Sequence, residues 1–199
     1  MESKLSKFSI IALSVAVVML TIFTAGCSTS VSKNAGTDNT AGQNTQASVS
    51  IPVTGNKQGN IAPDIDLKDV NGLDYSLGKN AKIVKPTLVY FFATWCPYCR
   101  QDFATLKNVY PDYQNEVDFV AVDVDPKETN EQIKEFQKKM GLDDITFIKS
   151  DVGILSDYGI ATTTTKFAVG RNSTILWTGS GDASEKQWGI LLNVLKMSE

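Results

Sequence analysis

The clearest pattern lies at residues 87–92, Thr-Leu-Val-Tyr-Phe-Phe, an unbroken apolar run that follows Lys85-Pro86. A run this short and apolar at every position predicts a strand covered on both faces of a sheet. Beyond it Cys99, Phe103, Leu106 and Tyr110 recur at helical spacing, which predicts a helix with one buried stripe. Residues 118–124 are again apolar and strand-like. Thr129 and Gln132 stand three apart ahead of Ile133, Phe136 and Met140, the pattern of a capping box opening an amphipathic helix. A short strand is expected at residues 145–148. Residues 166–169 and 174–177 flank turn-forming residues 170–173, as in a hairpin. Asp182 and Glu185 predict the cap of a last helix carrying Trp188, Leu191, Leu192 and Leu195 on one face. Upstream, Asn71-Gly72 predicts the turn of an N-terminal β-hairpin over residues 69–74. Strands alternating with helices, closed by a hairpin and a helix, predict an α/β fold around a mixed sheet.

The first 60 residues follow different rules. Lys4 and Lys7 precede an apolar run over residues 8–23, and Ala25 and Gly26 lead into Cys27. A basic start, a short apolar stretch and a small-residue exit predict a secretory signal peptide over residues 1–26. Residues 28–60 are rich in Ser, Thr, Asn, Gln and Gly, too polar to offset the entropy of ordering. With Cys27 they are expected to form a flexible linker over residues 27–60, with a reach of roughly 30 Å. One folded domain, residues 61–199, follows.

Composition narrows the chemistry. The 199-residue chain has a net charge of −3 and no basic block, so nucleic acid is not an expected partner. It contains no histidine, which removes Ser-His-Asp and Cys-His catalysis and any His-ligated metal. Its three cysteines are Cys27, Cys96 and Cys99, too few for a disulfide framework or a four-thiolate zinc site. No metal site and no cofactor are expected.

Cys96-Pro97-Tyr98-Cys99 follows the predicted buried strand and opens the predicted helix. At a helix start, free backbone N–H groups and the helix dipole favour a thiolate. Pro97 suits the first turn, where its missing N–H leaves nothing unpaired. Cys99, one turn further in, can attack a mixed disulfide formed at Cys96. The pattern therefore predicts a redox-active disulfide between Cys96 and Cys99.

Several stretches resemble a known family. Thr24-Ala25-Gly26-Cys27 resembles the lipobox of bacterial lipoproteins, with Thr24 where Leu is usual. The resemblance implies cleavage before Cys27, lipidation there, and a domain anchored to the outer side of the cell membrane. Ala62-Pro63-Asp64-Ile65-Asp66-Leu67, Phe92-Ala93-Thr94-Trp95-Cys96, Asp123-Val124-Asp125 and Tyr158-Gly159-Ile160 resemble the thioredoxin superfamily, and within it the TlpA-like, AhpC/TSA-redoxin-type exported thiol–disulfide oxidoreductases. That resemblance implies a thioredoxin-like fold with a central α/β insertion and no cofactor. It also implies exchange with protein thiols and disulfides, and a membrane protein as electron donor. Thioredoxins often carry Asp six residues before the first Cys, where this chain has Tyr90. Several TlpA-like proteins carry a carboxylate six residues after it, where this chain has Asp102. Asp102, three residues beyond Cys99 on the helix, is thus the candidate proton acceptor. Trp95, Pro97, Tyr98, Thr163 and Thr164 are the candidate substrate-binding residues.

One departure stands out. The family's substrate loop carries a cis-proline, and this chain has no proline after Pro126. Thr164 of Ala161-Thr162-Thr163-Thr164-Thr165 holds the matching position, which would put a hydroxyl near the sulfurs. A cis bond before threonine costs about 2.5–4 kcal/mol. The loop is therefore either held cis by the fold or trans and reshaped. The alternative to an oxidoreductase is a tethered module that binds a metal or iron–sulfur cluster, or nothing, through the same two cysteines.

Overall fold

The fold is described from a computed structural model, over residues 53–83 and 85–198. The expected signal peptide (residues 1–26), the expected lipidation site Cys27 and most of the expected linker lie outside the described residues. Residues 53–60, also assigned to the linker by composition, are bound to the domain. Ile61 and Val53 share a backbone hydrogen bond of 3.0 Å, and Gly59 and Asn60 bracket Ile175 at 2.8 Å each.

Among the described residues, seven strands and four α-helices follow in the order β1 (Ile65–Lys68), β2 (Asp74–Leu77), β3 (Thr87–Phe92), α1 (Pro97–Val109), β4 (Asp118–Asp123), α2 (Asn130–Met140), β5 (Thr146–Lys149), α3 (Val152–Asp157), β6 (Thr165–Val169), β7 (Ile175–Gly179) and α4 (Glu185–Met197). A 3-10 turn, Tyr110–Asp112, extends α1. The central sheet has the order β5-β4-β3-β6-β7. β3 runs parallel to β4 and antiparallel to β6, and β4 runs parallel to β5. This is the expected mixed sheet flanked by helices, with α2 and β5 as the central α/β insertion. β1 and β2 form the expected hairpin as a separate two-stranded sheet, with Gly72 at φ +83° in its turn.

β3 explains the architecture. All six of its residues are buried. Its pleat sends Leu88, Tyr90 and Phe92 into one cluster with Phe103, Leu106, Phe136, Trp188 and Leu192. Val89 and Phe91 enter the other, with Ile65, Leu77, Ile154 and Tyr158. Each such buried side chain contributes about 1.5–3 kcal/mol by leaving water.

The cap of α4 differs from expectation. Ser184 is the N-cap and Gln187 completes the capping box, not Asp182 and Glu185. Ser184 is extended, with φ −67° and ψ 162°, so the helical backbone begins at Glu185, and the Ala183 N–H before it donates to Asp102. The capping box at Thr129 and Gln132 forms as expected. Helix α3 was not anticipated. It is six residues long with Ile154 as its one buried residue, too short to leave a period.

Candidate active site

The site forms where β3 gives way to α1. Cys96 is the N-cap of α1, and its Sγ accepts the Cys99 backbone N–H at 3.2 Å. Pro97 occupies the first helical position, as predicted. Both cysteines are free thiols. Trp95 and Tyr98 flank them, each 59 % exposed, while Cys96 itself is only 2 % exposed. The thiol expected at an exposed helix start is thus nearly covered, and Thr163 Oγ1 lies 3.4 Å from Cys96 Sγ. A hydroxyl does reach the sulfur, but from Thr163 rather than Thr164.

Every peptide bond among the described residues is trans, including the one before Thr164. Thr164 instead takes φ +63°, a left-handed conformation uncommon for a β-branched residue. Three bonds hold it there. Its N–H donates to Phe91 O at 2.9 Å, its hydroxyl donates to Thr163 O at 2.6 Å, and that hydroxyl accepts the Gly181 N–H at 3.1 Å. Thr164 is therefore buried and shapes the loop from within. Thr162, Thr163 and Thr164, with Tyr98, Ser180, Gly181 and Asp182, line a polar groove beside the thiols.

Cys99 is fully buried. Burial, then its contact with Cys96, pushes its thiol up to about 12, while the Tyr90 hydroxyl and the Ala93 backbone pull the other way. At neutral pH the inner thiol keeps its proton and needs an acceptor. Asp102 is nearby, fully buried on the same helix. The Tyr90 hydroxyl, which lies beside Cys99, donates to Asp102 Oδ2 at 2.8 Å. Ala183 N–H donates to Asp102 Oδ1 at 2.8 Å. Lys166, on β6, completes the cluster with an ion pair of 3.3 Å to Asp102. Sequence reasoning missed Lys166. A single charge inside the run Thr165-Lys-Phe-Ala-Val169 was the available signal.

A second set of polar residues holds the approach to Cys96. Both carboxylate oxygens of Glu128 accept the Thr94 N–H at 3.2 Å, and one also takes the Thr94 hydroxyl. Arg100 Nε donates to Thr94 O at 2.8 Å, and Trp95 Nε1 to Asp125 Oδ2 at 2.7 Å. Behind Glu128 lies Asp123, 1 % exposed, whose oxygens have no N–H or O–H donor among the described side chains. Burial, then contact with Glu128, pushes its carboxyl up to about 8, so Asp123 keeps its proton at neutral pH. Among the described residues no cluster of three or more Cys, Asp or Glu could hold a metal ion.

Two thiols at a helix start, on this sheet, decide the family together with the match of residues 58–178 to the AhpC/TSA family. The chain belongs to the AhpC/TSA family. Thioredoxin-like protein YneN of Bacillus subtilis is 30% identical over 149 residues, which cover 73% of this chain and 85% of that protein. Thiol-disulfide oxidoreductase ResA of Geobacillus thermodenitrificans is 28% identical over 118 residues, 59% of this chain and 66% of that one. The crystal structure of StoA from Bacillus subtilis superposes with a TM-score of 0.55 at 23% identity, covering 65% of this chain and 96% of that one. That likeness shows the fold, which is thioredoxin-like. The AhpC/TSA match spans β1 to β6 and most of β7, and so contains both cysteines and Asp102.

Proposed function

We propose that this chain is a membrane-tethered, extracytoplasmic thiol–disulfide oxidoreductase that exchanges electrons with protein disulfides through Cys96 and Cys99. The observation that carries the redox reading is the thiol pair at the start of α1, with Cys96 Sγ accepting the Cys99 N–H. Family membership and relatives named thiol-disulfide oxidoreductase support it. The tether, its lipid at Cys27 and a membrane electron donor rest on the N-terminal sequence and its lipobox resemblance.

The chemistry follows from the two environments. The Cys96 thiolate, facing the α1 N-terminus, attacks one sulfur of a substrate disulfide and expels the other as a thiolate. Cys99 then gives up its proton, by way of the Tyr90 hydroxyl, to Asp102. Its sulfur attacks Cys96 Sγ and releases the second substrate thiolate. The substrate disulfide gains two electrons and the protein is left with a Cys96–Cys99 disulfide. Trp95 and Tyr98 offer exposed aromatic surface to the substrate, and Thr163 lies against the reacting sulfur.

The test is trapping. The Cys99→Ser protein should accumulate mixed disulfides with partner proteins, visible on non-reducing gels and cleared by reductant. The Cys96→Ser protein should accumulate none. Trapping by Cys96→Ser instead would reverse the roles, and no turnover of an artificial disulfide by the wild-type chain would sink the oxidoreductase reading.

A further inference from the structure

Lys166 sits where charge is least expected, in the middle sheet with a side chain 3 % exposed. Removing an ammonium from water costs several kcal/mol unless its hydrogens are matched. Here they are. Its Nζ meets Asp102 Oδ2 at 3.3 Å, Thr164 O at 3.1 Å and Gly181 O, which accounts for the three donors of an ammonium. The rings of Tyr90 and Trp188 lie 5.0 and 5.1 Å away, within cation–π range. Register explains the placement, because Lys166 pairs with Tyr90 across β3 and β6 and shares its face of the sheet. On its far side Lys166 lines a cleft between β7 and α4 with Leu176, Ala183 and Leu191. The cluster therefore borders a route to the surface.

We propose that Lys166 is the positioning residue of the resolving step: its ammonium holds Asp102 as the anion that accepts the Cys99 proton, and joins that carboxylate to the loop over Cys96. The inference rests on the assignment of Asp102 and Cys99 made above. The groups in contact with Asp102 are Tyr90 from β3, Lys166 from β6 and the Ala183 N–H from the segment before α4, while Cys99 and Asp182 act on the Lys166 ammonium. Two of these donate neutral hydrogen bonds. Without Lys166, burial would favour the protonated acid, and an acid that already holds a proton cannot take one from Cys99. Lys166 also ties the carbonyls of Thr164 and Gly181 to the same carboxylate. The residues that border the substrate groove and the residue that accepts the proton thus share one cation.

The test uses the full chain, reduced, and an aromatic disulfide that releases two thionitrobenzoate ions per protein. The first release reports attack by Cys96 and the second reports resolution by Cys99. In Lys166→Met the acid limb of the second phase should move up by at least about one pH unit, making resolution about tenfold slower on that limb. The first phase should keep its pH profile. In Asp102→Asn that limb should vanish, and adding Lys166→Met should change the second phase no further. If Lys166→Met leaves the limb in place, or its effect adds in full to that of Asp102→Asn, Lys166 is structural and the proposal fails. If Asp102→Asn itself leaves the limb unchanged, the error lies in the assignment of Asp102. Should Lys166→Met alone not fold, the double variant decides. A folded Asp102→Asn/Lys166→Met protein supports the coupling, because both buried charges are gone. A double variant as unstable as the single one overturns it.

Discussion

At the scale of single residues, the site separates two identical thiols by environment. Cys96 faces the backbone donors at the start of α1, while Cys99 is buried and pushed up to about 12. The proton held by Asp123 belongs to the same scale. Asp123 in the folded chain binds a proton up to about pH 8, whereas an unfolded aspartate releases it near 3.8. Between those values the folded state holds the extra proton, so this group's contribution to stability falls as pH rises from about 4 to 8 and is level above. Asp123→Asn keeps a donor towards Glu128 without the titration. Thermal midpoints measured from pH 5 to 8 should fall less steeply for Asp123→Asn than for the wild type. At pH 8 the variant should melt a few degrees higher, since each kcal/mol shifts such a domain by about 2–6 °C. Parallel curves would mean that Asp123 is ionised throughout. The cysteine pair and the acidic candidate at 102 were legible in sequence, because spacing along one helix determines which side chains share a face. Lys166, Asp123 and Glu128 were not, because their partners lie on other elements.

Among the elements, the loop leading into β6 carries the most information. Its peptide bonds are trans and Thr164 is left-handed, which answers the question raised by the missing proline. Proline requires φ near −65° and has no N–H, whereas Thr164 has φ +63° and donates to Phe91 O. Thr164→Pro should therefore destabilise the domain, by at least about 2 kcal/mol from the lost hydrogen bond and the incompatible backbone together. Urea unfolding would measure it, and a stability equal to or above that of the wild type would show that the loop readily takes another conformation. The helices were largely readable, because apolar spacing and capping boxes are local signals. The exception at the start of α4 is instructive. Both Asp182–Glu185 and Ser184–Gln187 fit the capping pattern, and the folded chain uses the second, with Ser184 extended as the N-cap.

For the whole molecule, membrane attachment is the prediction that matters most. Cys27→Ala should abolish lipid labelling and release the domain from membranes, unless the signal stays uncut. Mass spectrometry of the mature wild-type chain would check this, and an unmodified N-terminus elsewhere would refute lipidation at Cys27. No helix among the described residues is long and apolar enough to cross a membrane. The sequence by itself determined the order of strands and helices apart from α3, the two-sided burial of β3 and the Cys-x-x-Cys pair at a helix start, since these depend on neighbours a few positions apart. It also carried the departure at Thr164, visible as a missing proline. Tertiary structure alone decided how that departure is accommodated, through Phe91 and Gly181. It also decided which groups lie around Asp102. Tyr90, Asp102 and Lys166 come from β3, α1 and β6, and their 64-residue separation along the chain, from 102 to 166, closes to 3.3 Å only when the sheet and helix pack. Local pattern cannot encode that distance, because a buried ion pair is matched by whatever the fold brings to it.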